Sequence, residues 1–140
     1  HMYRSILEGI AFTLKNHVDK MMAELDTPVK KLVVSGGGAN SDLFMQVFAD
    51  MFGVAAVRNK IRGSAAVGCV INAGMAVNAF SSYDRAVEQM VSEGDTFLPD
   101  PDHTRIYDRL NRDVYQSVNQ YFDPVLQKLS PLVDQEKSAN

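Results

Sequence analysis

The chain has 140 residues, 14 Lys plus Arg against 17 Asp plus Glu, a formal net charge of -3 and 46% hydrophobic residues, which describes one globular domain or a piece of a larger one. Its single cysteine excludes an internal disulfide and a thiolate-rich zinc site. Basic residues outnumber acidic ones 8 to 6 up to residue 80 and are outnumbered 11 to 6 after it, so neither half has the basic density of a nucleic-acid binder.

His1-Met2 reads as a cloning remnant, and no signal peptide follows it. From Tyr3 to Leu25, apolar residues recur at Ile6, Ile10, Leu14, Val18, Met21 and Leu25, a spacing that predicts an amphipathic helix with that stripe buried. Asp26-Thr27-Pro28 ends it. Lys31 to Ser35 is a short β-branched run that stops at Gly36-Gly37-Gly38, the pattern of a buried strand entering a tight turn. Asn40 or Ser41 can cap the next helix, whose apolar positions Leu43, Phe44, Val47, Phe48, Met51 and Phe52 end at Gly53. Val54 to Val57 is the second strand, parallel to the first because a helix joins them.

Ser64 to Phe80 predicts a third helix, interrupted by Asn72 and Asn78 and too poor in large apolar residues for a membrane span. Its Ala65, Ala66, Gly68, Ala73 and Gly74 leave room for another backbone, and Cys69 among them reads as a buried, inert thiol. Ser82 can cap a fourth helix over Tyr83 to Val91, followed by a loop through Gly94 and Pro99-Asp100-Pro101. Asp102 is the expected cap of the last helix, with a stripe at Ile106, Leu110, Val114, Val118, Tyr121, Val125 and Leu129 and a kink at Pro124. Residues 3–133 thus form one unit and 134–140 a disordered tail. The fold class is α/β and helix-rich, with about two parallel strands and five helices; two strands are too few for a self-sufficient sheet, so a fragment is expected.

The glycine turn is the strongest site signal. Three glycines between a buried strand and a helix leave the main chain open, and the helix start offers partial positive charge to a phosphate or a ribose edge. The alternative is a tight turn that only needs positive φ angles. A P-loop is excluded because Gly38-Ala39-Asn40 stands where Gly-Lys-Ser/Thr is required. The dinucleotide fingerprint fits in part, with Ser41 in place of its third glycine and Arg58 placed to pair with a 2'-phosphate, so an NADP-binding half of an oxidoreductase is an alternative. The cluster Arg58, Lys60 and Arg62 reads as a solvated loop or as an anion partner. His17 and His103 have no second ligand at metal spacing and read as surface histidines. Glu93, Asp95, Asp100 and Asp102 lack the ligand order of a calcium loop.

Several linked segments resemble the FGGY carbohydrate kinases, sugar kinases of the actin-like ATPase superfamily. Arg4 to Phe12 resembles the family's Arg-x-x-x-Glu-Gly-x-Ala-Phe helix, Leu32 to Gln46 its adenosine-binding segment, and Phe48-Ala49-Asp50 with Gly53 the continuation. Ala66-Val-Gly68-Cys69 is similar to its Ala-Leu-Gly-Ala helix start, although Arg62-Gly63 stands where many members carry glutamate. The resemblance implies a fragment of an actin-like ATPase (ribonuclease H-like) domain. It implies that Gly36, Gly37 and Gly38 lie against the α-phosphate and ribose of ATP, with Ala39, Ser41 and Asp42 bordering the adenine. The intact enzyme would use ATP with Mg2+ and act in the cytoplasm.

The family's Asp-x-Gly-Thr/Ser loop, second phosphate loop and catalytic aspartate do not occur in these 140 residues, so the expected catalytic and metal residues here are none. The implied partner is a sugar, bound mainly outside the chain, with no nucleic acid and no membrane. A homodimer is expected, favoured by truncation, and a purely helical oligomerisation module is a further alternative.

Overall fold

The computed structural model describes residues 1–61, 63–118, 121–122, 124–125 and 127–128. The chain forms two compact units, His1–Thr104 and Arg105–Asn140. Its elements are α1 (Met2–Leu25), β1 (Leu32–Val34), α2 (Asp42–Phe52), β2 (Ala56–Asn59), α3 (Ser64–Ala76), α4 (Tyr83–Met90), β3 (Glu93–Phe97) and α5 (Pro101–Leu110), which passes from the first unit into the second and continues as a π-helical turn at Asn111–Tyr115.

β1 and β2 pair in parallel, as the strand–helix–strand order predicts, in the register Leu32↔Ala56, Val33↔Val57 and Val34↔Arg58. β2 begins two residues later than expected. Gly53 closes α2 in the left-handed region, φ 65°, with its N–H on the Ala49 carbonyl, and Val54–Ala55 bring the chain back to the sheet. Ser41 is the cap of α2, its hydroxyl accepting from the Phe44 N–H at 3.3 Å, and Ser82 caps α4 in the same way.

The expected loop after Val91 is instead a third strand. β3 pairs antiparallel with β2, making β2 the central strand of three. Between the pairs Val57↔Thr96 and Asn59↔Glu93 the register shifts, so that Gly94 and Asp95 stand opposite Arg58 alone. Gly94 permits this bulge, because a Cβ there would come within 3.0 Å of the Arg58 carbonyl oxygen.

The core of the first unit lies between α2, the sheet and one side of α1. Met45, Val47, Phe48, Ala49 and Met51 of α2 are buried with Ala56 and Val57 of β2 and with Leu7, Ala11 and Phe12 of α1. This corrects the expected face of α1: Ile6, Ile10, Leu14, Met21 and Leu25 are exposed and the buried residues are their neighbours on the helix. α1 is apolar on two sides, and α2 covers the one that carries Leu7, Ala11 and Phe12. Lys15 of α1 sits 5.5 Å from the centre of the Phe52 ring, closing that contact.

α3 and α4 enclose a second, smaller cluster of Val67, Ile71 and Ala86, flanked by Met75, Phe80 and Met90. α3 ends at Ala76 rather than Phe80, as Asn78 takes a positive φ and the Phe80 ring folds back onto Gly74. A Cβ at Gly74 would lie 2.3 Å from that ring, so this glycine admits a side chain and not another backbone. Ala65, Ala66 and Ala73 are exposed, and so is Cys69, which is therefore not a buried thiol.

α5 is capped by Asp100, not Asp102. Its Oδ1 accepts from the N–H groups of Asp102 at 2.8 Å and His103 at 3.4 Å, with Pro101 in the first helical position, where a missing N–H costs nothing. In the second unit Tyr107 and Asn111 are buried, while Ile106, Leu110, Val114, Tyr121 and Val125 of the expected stripe are exposed. Leu129, Asp123 before the expected kink at Pro124, and the tail at 134–140 lie outside the described residues.

Candidate functional site

The glycine turn joins the end of β1 to the start of α2 and includes a short 3-10 segment at Gly37–Asn40. It is held internally by Ala39 N–H on the Gly36 carbonyl at 3.2 Å and Ser41 N–H on the Gly38 carbonyl at 3.0 Å.

The three glycines are required for different reasons. Gly36 has φ 90° and ψ -172°, a conformation essentially restricted to glycine. Gly38 lies under the Phe44 ring, where a Cβ would come within 2.8 Å of Cε1. Gly37 has neither constraint: its φ is not in the left-handed region, and a Cβ there would meet nothing within 4 Å. The turn reading that invoked positive φ for the glycines therefore accounts for Gly36 alone.

The remaining candidate residues are arranged around this turn. Ala39 is 2% exposed and belongs to the core. Ser41 is half-buried and occupied as the helix cap. Asp42 is exposed at the start of α2, with one carboxylate oxygen 2.8 Å from Arg58 Nη1.

Arg58 is the residue that sequence reasoning placed wrongly. Its side chain is buried, its Nη1 donates to the Ala39 carbonyl at 3.0 Å as well as to Asp42, and its Nε and Nη2 both reach Asp95 Oδ2, at 2.9 and 2.5 Å. Its guanidinium also lies 5.2 Å from the Phe97 ring. The hydrogen bond to Asp95 raises the Arg58 pKa above its ordinary value by more than burial lowers it, and Asp42 adds to the rise. A guanidinium so engaged is not available to a 2'-phosphate, which removes the feature that favoured an NADP site.

Below the turn, a recess bounded by Val34, Ser35, Ala39 and Arg58 shares Asn59, Ile61 and Ser64 with a cavity of about 150 Å³ that reaches Val67, Ile71 and Met90. The cavity is thus walled by the end of β2, by α3 and by α4, beside the glycine turn.

Asp50, within the Phe48-Ala49-Asp50 segment, lies on the buried side of α2. It is 2% exposed and accepts from Gln46 Nε2 at 2.7 Å, the Asp100 N–H at 2.8 Å and His103 Nδ1 at 3.1 Å. His103 is therefore paired and not a bare surface histidine. The signal was an acidic residue inside the run Phe48-Ala49-Asp50-Met51, where helical spacing places the core. Glu93 pairs with Lys31, Asp95 with Arg58, and Asp100 caps α5, so these acidic residues hold the fold together. Among the described residues no group of three or more His, Cys, Asp or Glu side chains is placed to hold a metal ion, and no helix is long and apolar enough to cross a membrane.

Residues 1–77, which contain α1, the glycine turn, both parallel strands and α3, match the C-terminal domain of the FGGY family of carbohydrate kinases. The chain belongs to this family. It is 41% identical over 127 residues to an uncharacterized sugar kinase of Escherichia coli, YgcE, covering 91% of this chain and 26% of that protein. It is 34% identical to glycerol kinase 2 of Saccharolobus solfataricus over 99 residues, 71% of this chain and 20% of that one. The crystal structure of xylulose kinase from Rhodospirillum rubrum superposes with a TM-score of 0.69 at 26% identity, over 91% of this chain and 25% of that chain. The fold is that of part of an actin-like ATPase domain, helix-rich with a small sheet, mixed rather than purely parallel because of β3. The chain spans about a quarter of the length of YgcE and of the xylulose kinase and a fifth of glycerol kinase 2.

Proposed function

We propose that this chain forms the adenosine-facing wall of an ATP-dependent carbohydrate kinase, an enzyme that transfers the γ-phosphate of ATP to a sugar hydroxyl. The observation that carries this reading is Gly37. Gly36 is explained by its backbone and Gly38 by the Phe44 ring, whereas among the described residues nothing requires the middle glycine. A main chain bare at that point lets a phosphate or a ribose approach closer than any Cβ would allow. Gly36, Gly37 and Gly38 face the α-phosphate and ribose, Ser41 and Asp42 border the adenine, and Ala39 supports the turn from the core.

The sugar is bound mainly by parts of the enzyme beyond this chain, and so are the metal-bridged phosphates and the base that takes the proton from the hydroxyl. The carboxylates near the turn do not fit a magnesium site, because Asp42 and Asp95 are committed to Arg58 and Asp50 to His103. The chain alone is therefore inactive, since phosphoryl transfer depends on positioned phosphates and a positioned nucleophile. Its exposed apolar face on α1 is a surface through which isolated copies pair as a dimer, and the intact enzyme, using ATP, works in the cytoplasm.

The test is a titration of the isolated chain with Mg-ATP and, separately, NADPH, following backbone amide resonances by NMR. Shifts confined to Gly36, Gly37, Gly38 and the first turn of α2 with Mg-ATP alone are the expected result. Shifts with NADPH and none with Mg-ATP would overturn the proposal.

A further inference from the structure

Gly36, Gly37 and Gly38 carry no side chain, so beyond the turn's two internal hydrogen bonds its placement depends on what holds Ala39 and the start of α2. Directly below is Arg58, the one buried arginine among the described residues, projecting from the central strand. Its guanidinium donates to the carbonyl of Ala39 inside the turn, to Asp42 at the start of α2 and to Asp95 on β3, so it ties the turn and the adjoining helix start to the far strand of the sheet. Asp95 reaches it because the bulge places Gly94 and Asp95 opposite Arg58 alone, and bulges commonly redirect a side chain in this way. A planar guanidinium can serve all three acceptors at once, whereas an ammonium offers a point charge without the fork.

We infer that Arg58, oriented by Asp95, is the positioning residue of the glycine turn: by fixing the Ala39 carbonyl and Asp42 it sets the main-chain surface that Gly36–Gly38 present to the nucleotide. The inference rests on the proposed function for its ligand. It gives the Arg58–Asp95 pair a role in nucleotide affinity although neither residue touches the nucleotide. The two act in series. Removal of Asp95 leaves Arg58 charged but free to swing away from the Ala39 carbonyl.

The experiment uses the intact kinase with Arg58→Lys and, as a milder change that keeps the arginine itself, Asp95→Asn. Amide hydrogen exchange is read without nucleotide, and Mg-ATP affinity by calorimetry. Both variants are expected to exchange faster in the peptide covering Gly36–Asn40, by roughly tenfold for Arg58→Lys, with unchanged protection in the α2 core around Val47–Met51. The Kd for Mg-ATP rises in the same order, Asp95→Asn less than Arg58→Lys. Unchanged exchange in the turn, or an equal loss of protection throughout α2, would overturn the inference, the second because it marks general destabilisation. Failure of the nucleotide reading shows itself separately, as absence of Mg-ATP binding by the unmodified enzyme.

Discussion

Replacement of Asp50 by alanine removes the common acceptor of three hydrogen bonds. One comes from Gln46 on the same helix, one from the Asp100 N–H at the start of α5 and one from His103. Gln46 also donates to the Leu98 carbonyl, so the pair Gln46–Asp50 fastens the whole Leu98–Asp100 link between β3 and α5 onto α2. Hydrogen bonds to a charged acceptor contribute about 1.5–3 kcal/mol each, and water resupplies part of this at the exposed partners Asp100 and His103, which leaves a net loss of about 2–4 kcal/mol. Removal of the half-exposed partner by His103→Ala should cost only about 0–1 kcal/mol. Urea denaturation followed by far-UV circular dichroism measures both. With a slope of about 2 kcal/mol per molar, Asp50→Ala should lower the midpoint by about 1–2 M and His103→Ala by a small fraction of that. A midpoint for Asp50→Ala within experimental error of the unmodified chain, or equal losses for the two variants, would refute the idea that Asp50 is the anchor.

Two further predictions concern the glycine turn. Gly36→Ala forces a side chain into a backbone region that only glycine adopts readily and should lower stability by about 1–3 kcal/mol, read from the same denaturation curve. Gly38→Ala drives a methyl against the Phe44 ring, whose centre lies 4.4 Å from that of the Phe48 ring at a tilt of 38° and so limits how far it can yield. It should be destabilising by about 1–3 kcal/mol, and Phe44→Leu in the same chain should relieve part of that loss.

The strand–turn–helix–strand unit is legible in the sequence because each boundary is marked locally. The glycines stop β1, Ser41 caps α2 and Gly53 ends it, and parallel pairing follows from the crossover. β3 is not legible, because Glu-Gly-Asp-Thr-Phe is polar, lies on a sheet edge and owes its conformation to pairing with residues some 40 positions earlier. The buried side of α1 is ambiguous for a related reason: the helix is apolar on two sides, and only the packing of α2 decides between them.

At the site, the turn itself was evident, while the use made of Arg58 was not. A basic residue at the end of a strand suits a phosphate as well as a carboxylate, and its true partners, Asp42 and Asp95, lie 16 and 37 residues away. The acidic residues after Val91 likewise gave no pattern in sequence, since each is paired with a different element.

The most direct test of the account is the affinity of the intact kinase for Mg-ATP with and without Gly37→Ala. Position 37 has ordinary φ and open space around it, so alanine should leave the thermal midpoint unchanged. If the nucleotide lies against this backbone, the added methyl occupies its place, and calorimetry should show Kd raised by about tenfold or more, a loss of at least about 1.4 kcal/mol. An unchanged midpoint together with an unchanged Kd would contradict the account, because the glycine turn would then have no nucleotide against it.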